Sequence, residues 1–268
     1  MTFHCSSVRK LYIADFQSIR WGSNMPHHSP AERLSNDEAN PRPKHVMAAS
    51  REGHDQHPIS LDGFIYSKDA DLGQRVSTMV NIPLASVEGF TFFKENVVDN
   101  LTIMETIRSY LQCESIGFGL YRTLGPVPGA YSFRKSNPDS PAESIVVHLL
   151  ENNTKIAIWK ASHRVKVPFS KGDIGLWETA PSNLEAAGSE RDEQTFENGG
   201  YCIRDTRVFM EVLAGKAFTF AIAKRDVVRG WKPMKLDQSL KPTIRQIQTP
   251  AFEVHATYHD AHGGEYID

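Results

Sequence analysis

His148 lies in the apolar run Ile145-Val146-Val147-His148-Leu149-Leu150, where strand alternation puts it on one face with Val146 and Leu150. An imidazole titrates near neutrality, so on a cavity-lining face His148 is a candidate general acid or base. On a closed core face it is instead a histidine satisfied by a backbone carbonyl. Asp205 and Arg207 stand two apart in Cys202-Ile203-Arg204-Asp205-Thr206-Arg207. On one strand they share a face, and either pair with each other or grip one substrate carboxylate together. Ser162 beside His163 is no nucleophile-base pair, because neighbours on a strand point to opposite faces.

Metal-binding patterns are weak. Nowhere does a His stand two places before an Asp or Glu. His255, His259 and His262 fall at i, i+4 and i+7, a stripe that on a helix could bind zinc, but Gly263-Gly264 points to a fraying tail. Five histidines between His27 and His57 are irregularly spaced on a Pro-rich, aliphatic-poor stretch, as in a solvated linker. The three cysteines, Cys5, Cys113 and Cys202, are widely separated without a CxxC, which argues against a disulfide framework or structural zinc and for a reducing, cytoplasmic compartment.

The elements that must position these residues follow from patterning. The 268 residues, 40% hydrophobic and 23% charged, suit one domain with ragged ends. The formal charge of -2 offers no long-range field for nucleic acid or an anionic membrane. Met1 to Arg20 lacks a signal-peptide apolar core, and no stretch approaches the roughly 20 apolar residues of a membrane span. Gly22 to Ser60 offers too little apolar surface to offset chain entropy, so residues 1–60 are expected to be poorly ordered, 61–240 to form the domain and 241–268 a tail. Gly89-Phe90-Thr91-Phe92-Phe93 is a β-favouring aromatic run. Val97, Leu101, Met104, Ile107 and Leu111 then recur at helical intervals, with Asn96 as a plausible N-cap. Beyond Cys113, short apolar runs at 116–121, 144–150, 155–159, 201–203 and 217–223 are separated by turn residues, the pattern of a mainly antiparallel sandwich or barrel.

In this order the segments resemble phytanoyl-CoA-dioxygenase-like proteins, in particular fungal-type members. Gly89 to Phe93 with the helix to Leu111 resembles that family's entrance. Ile156-Ala157-Ile158-Trp159-Lys160-Ala161-Ser162-His163-Arg164 is similar to a strand ending in a Pro-Gly-Ser-His-Arg turn, with Lys160-Ala161 in place of Pro-Gly. Gly199 to Met210 is similar to the later strand that leads to the distal metal His. The resemblance spans about half the chain, Gly89 to Ala223. It implies a mainly β protein with flanking helices, a double-stranded β-helix or jelly roll, with a ligand cavity between its sheets. It also implies Fe(II) on two His and one carboxylate, with 2-oxoglutarate. Here the sequence departs: Tyr121 to Ser144 has no His, and Met210 stands at the distal position. Lys216 stands near where the family binds the 2-oxoglutarate carboxylate with an Arg, whose two-pronged fork a Lys does not reproduce.

The expectation is therefore a metal-independent, cytoplasmic protein of specialised metabolism that binds a small apolar metabolite. Its leading function is a non-oxidative enzyme of isomerase, cyclase or lyase type, with His148, Asp205 and Arg207 as catalytic candidates. His163, Trp159 and Lys216 are the substrate-binding candidates. The alternatives are an Fe(II)/2-oxoglutarate oxygenase with an atypical site, and a non-catalytic binding or scaffold protein. Neither nucleic acid nor membrane is an expected partner, and the sequence leaves the oligomeric state open.

Overall fold

Three helices begin at side chains that satisfy otherwise unpaired backbone donors: Asp69 accepts from the Leu72 N–H, Ser86 from Gly89 and Asn100 from Ile103. The computed structural model describes residues 57–260. In chain order its elements are α1 (Pro58–Asp62), β1 (Phe64–Lys68), α2 (Ala70–Met79), α3 (Val87–Phe93), α4 (Leu101–Leu111), β2 (Ile116–Leu124), β3 (Ala130–Ser132), β4 (Ser144–Leu150) and β5 (Thr154–Trp159). They continue as β6 (Ser170–Lys171), β7 (Trp177–Thr179), α5 (Pro181–Ala186), β8 (Arg191–Phe196), β9 (Gly200–Asp205), β10 (Met210–Ala214) and β11 (Ala217–Lys224). The chain then adds α6 (Arg225–Arg229), β12 (Met234–Asp237), α7 (Lys241–Ile247), β13 (Phe252–Val254) and β14 (Ala256–His259). No helix among the described residues is long and apolar enough to cross a membrane.

Two six-stranded sheets carry the fold, ordered β1-β9-β4-β11-β2-β13 and β6-β7-β3-β10-β5-β8. Their centres are the antiparallel quartets β9-β4-β11-β2 and β3-β10-β5-β8. Along these eight strands the chain changes sheet at every step except from β5 to β8, which is the winding of a jelly roll. The fold is thus mainly β with flanking helices, as the sequence implied.

Alternation decides which residues face inward. Val146, Leu150, Cys202 and Ala221 from the first sheet meet Ile156, Ile158, Met210 and Val212 from the second, forming the barrel interior. The other face of the first sheet is covered by helices. Phe93 of α3 lies 4.2 Å from Phe118 and 4.8 Å from Phe220, ring centroid to centroid. Two phases of one strand therefore serve two environments: Cys202 points into the barrel, whereas Ile203 packs toward the helices.

Several expectations need correction. Gly89 to Phe93 is helical, because the Ser86 cap starts a helix whose Phe90, Phe92 and Phe93 are buried; the aromatic content had read as strand. A π-helical segment, Lys94–Val98, follows, and the cap of α4 is Asn100. Asn96 is instead a buried side chain that accepts from Arg75 Nε and donates to the Phe92 carbonyl. The expected tail after residue 240 supplies α7 and β13, with Ile244, Ile247, Phe252 and Val254 buried and β13 paired in parallel with β2. His255 and His259 lie in extended chain rather than on a helix, and His262 lies outside the described residues. Of the segment 22–60, residues 22–56 also lie outside them, while the remainder enters α1 and buries Ile59 completely.

Candidate functional site

Strand β4 delivers His148 to the barrel interior, fully buried on the same face as Val146 and Leu150. It does not bond a backbone carbonyl. Its Nε2 accepts from Arg204 Nε at 2.9 Å, and its Nδ1 lies 2.8 Å from Thr219 Oγ1. A ring nitrogen that accepts from a guanidinium must be unprotonated, so the neutral ring carries its proton on Nδ1 and donates to Thr219. Burial, and then the Arg204 charge, hold the His148 pKa well below its ordinary value. The basic lone pair is thereby engaged, and the geometry makes His148 a support that orients Arg204.

Arg204 sits on the inward phase of β9, 1% exposed. Its Nη1 donates to the Val208 carbonyl, and its guanidinium carbon lies 5.3 Å from the Phe133 ring centre. It contributes to the wall of a cavity of about 20 Å³ between the sheets, together with Tyr131, Met210, Leu124, Ile174 and Leu176. The Tyr131 hydroxyl donates to the Pro128 carbonyl at 2.5 Å. Burial and the charges of Glu178 and Asp173 raise its pKa, so the phenol remains a proton carrier at neutral pH.

A second polar cluster lies on the opposite phase of β9, toward the helices. Asp205, 1% exposed, accepts from Arg207 Nε at 2.8 Å, Arg207 Nη2 at 2.8 Å, the Arg207 backbone N–H at 2.7 Å and the Tyr110 hydroxyl at 2.6 Å. Burial by itself would raise the carboxyl pKa, but the hydrogen bonds and charge of Arg207, joined by Tyr110, outweigh it and leave the pKa lowered. Arg207 Nη1 also donates to the carbonyls of Ser140 at 2.6 Å and Asn137 at 3.2 Å, fastening the loop that precedes β4.

The sequence-predicted candidates thus separate. The barrel interior receives His148 alone. Asp205 and Arg207 do pair, but β9 ends at Asp205, so Arg207 is a turn residue and the two do not share a strand face turned to the cavity. His163 belongs to the helix side, its Nε2 3.3 Å from the Ser60 carbonyl and its Nδ1 buried without a partner. Two residues before His163, Ala161 takes the left-handed φ of 56° that glycine adopts more readily. Trp159 packs with Phe209 and Leu184 in a separate cluster, and its Nε1 donates to Glu211. Lys216 lies in the β10–β11 turn, beyond the end of β10 at Ala214, whereas Met210 begins that strand, and it does not line the cavity. Sequence reasoning missed Arg204, Thr219 and Tyr131. The available signal was a charged residue in phase with Cys202 on a strand that alternation buries on both faces.

Iron fits this site poorly. Where β3 and β10 pair, at Tyr131 and Met210, the chain offers a thioether, a phenol bonded to a carbonyl and a neighbouring guanidinium. A hard Fe(II) centre calls for imidazole and carboxylate, and a fixed cation in the wall repels a dication. Among the described residues no group of three or more His, Cys, Asp or Glu could hold a metal ion.

No family model matches the sequence, and no curated protein matches it. Among solved structures, the chain is similar to the epimerase SnoN in complex with Fe3+, alpha ketoglutarate and nogalamycin RO, at 9% identity and TM-score 0.47, over 62% of this chain and 80% of that one. HygX from Streptomyces hygroscopicus with iron bound is similar at 8% identity and TM-score 0.44, over 66% and 88%. EctD from S. alaskensis with 2-oxoglutarate and 5-hydroxyectoine is similar at 11% identity and TM-score 0.42, over 67% and 77%. The strand order described above, rather than these likenesses, carries the assignment of the fold.

The buried imidazole gives stability a definite pH dependence. A His whose folded pKa is depressed contributes fully above its ordinary value of 6.5 and loses that contribution as pH falls below it, because only the unfolded chain then takes up the proton. His163, also lowered by burial, adds to the same window. Asp205, with a depressed carboxyl, adds a loss only below the ordinary carboxylate range. Chemical denaturation between pH 8 and 5 should therefore show stability falling below about pH 6.5, and His148→Gln should flatten that slope. A wild-type curve that stays level to pH 5 contradicts the assigned protonation state.

Proposed function

We propose that this chain is a small-molecule-binding jelly-roll protein that works without iron, and that the chemistry it performs is non-oxidative, of the isomerase, cyclase or lyase type on an apolar metabolite of specialised metabolism. One observation carries the reading. The cavity between the sheets is walled by apolar side chains with Arg204 as its one charged residue and Tyr131 as a phenol. Water-poor cavities with a few convergent polar groups are the usual form of small-molecule sites. Arg204 would stabilise negative charge developing on a bound substrate, a role fixed donors perform well out of water. His148 and Thr219 would hold Arg204 in place.

The test is a thermal-shift screen of small apolar metabolites on untagged protein, repeated on Ile174→Trp, which fills the cavity from its wall. Compounds that raise the melting midpoint of the wild type should lose their effect in the variant. If no compound shifts the wild type and native mass spectrometry finds no retained small molecule, a non-catalytic scaffold replaces this reading.

A further inference from the structure

Arg204 is an anomaly of charge. Its side chain is buried between two sheets, yet its hydrogen bonds go to a neutral imidazole and a backbone carbonyl. Among the described residues it takes part in no salt bridge. The carboxylate next to it in sequence, Asp205, faces the opposite way, accepts its hydrogen bonds from Arg207 and Tyr110, and acts on Arg204 only through space. Burial lowers the Arg204 pKa to about 10, which still leaves it a cation at neutral pH. A buried charge whose hydrogen bonds go only to neutral groups is costly, and strongly perturbed buried groups are concentrated at functional sites. Two of the five guanidinium donors are taken by His148 and Val208.

We propose that the cavity receives the carboxylate end of a small apolar monoanion, with Arg204 as its counter-charge and the apolar tail leading out past Ile174 and Leu176. This rests on the small-molecule reading above and names the chemical class of the ligand. A planar guanidinium matches a carboxylate fork to fork. A phosphate monoester, at roughly -1.5 to -2, would leave excess negative charge facing one cation in an apolar wall. The remaining lining, Leu124, Val127, Ile174, Leu176 and Val212, favours a hydrocarbon tail.

Entry requires movement, since about 20 Å³ holds little more than a water molecule. The hairpin β6–β7 is built to supply it. Strand β6 has two residues, pairs only with β7, and β7 is joined to the barrel by three residue pairs with β3. Ile174 and Leu176, which close the cavity, lie on the connection between β6 and β7, and Arg122 Nη2 donates to the Ile174 carbonyl at 2.9 Å as a latch.

Isothermal titration of the full chain with linear carboxylates from acetate to octanoate, and with the matching primary amides, tests the proposal. The amides keep shape and remove charge. The carboxylates should bind at least about tenfold more tightly than their amides, with affinity rising along the tail, and Ile174→Trp should abolish both. Arg204→Met should remove the preference for the acid; if that variant does not fold, the acid-to-amide ratio in the wild type still decides. Amides binding as tightly as acids overturn the carboxylate assignment while leaving the small-molecule reading intact. Failure of every acid also overturns it, and the metabolite screen then decides separately whether the cavity binds anything.

Discussion

Arg207→Met should lower stability by about 3–5 kcal/mol, the usual cost of removing one partner from a buried ion pair. Arg207 is 7% exposed and Asp205 1%, so the orphaned carboxylate has no route to water. With roughly 2–4 °C of melting midpoint per kcal/mol in a domain of this size, the midpoint should fall by on the order of 10 °C. The loss has a second source, because Arg207 also holds the carbonyls of Ser140 and Asn137 and so fixes the loop between β3 and β4. Arg207→Lys should fall between the two, since an ammonium keeps the charge but not the two-pronged geometry. The pair lies on the helix side of β9, so ligand binding per folded molecule should be unchanged in both variants. Loss of binding in a variant that melts normally would put Arg207 in the site instead.

Apolar patterning made the architecture legible. The runs at 144–150, 155–159 and 217–223 coincide with β4, β5 and β11 to within a residue, because strands buried on both faces read as continuous aliphatic stretches. The same property hid the site. In β9 both phases are buried, so Cys202-Ile203-Arg204-Asp205 gives no clue which phase meets the cavity and which the helices. Asp205 and Arg207 drew notice as a charged pair at strand spacing, whereas Arg204, the residue that does face inward, read as one more charge in the run. His148 was found because a single imidazole in an aliphatic strand is conspicuous; its partners Arg204 and Thr219 come from β9 and β11, 56 and 71 residues away. Helix α3 was missed because three phenylalanines outweighed the capping signal of Ser86.

The central claim is that the barrel's polar centre is a guanidinium site and not a metal site. Anaerobic loading with excess Fe(II) and 2-oxoglutarate, followed by desalting and metal analysis, tests it most directly. The cavity wall offers Met210, Tyr131 and Arg204 rather than imidazole and carboxylate, so iron should remain far below one equivalent per chain and 2-oxoglutarate should not be consumed. Retention of about one iron per chain, with turnover of 2-oxoglutarate, would contradict the account.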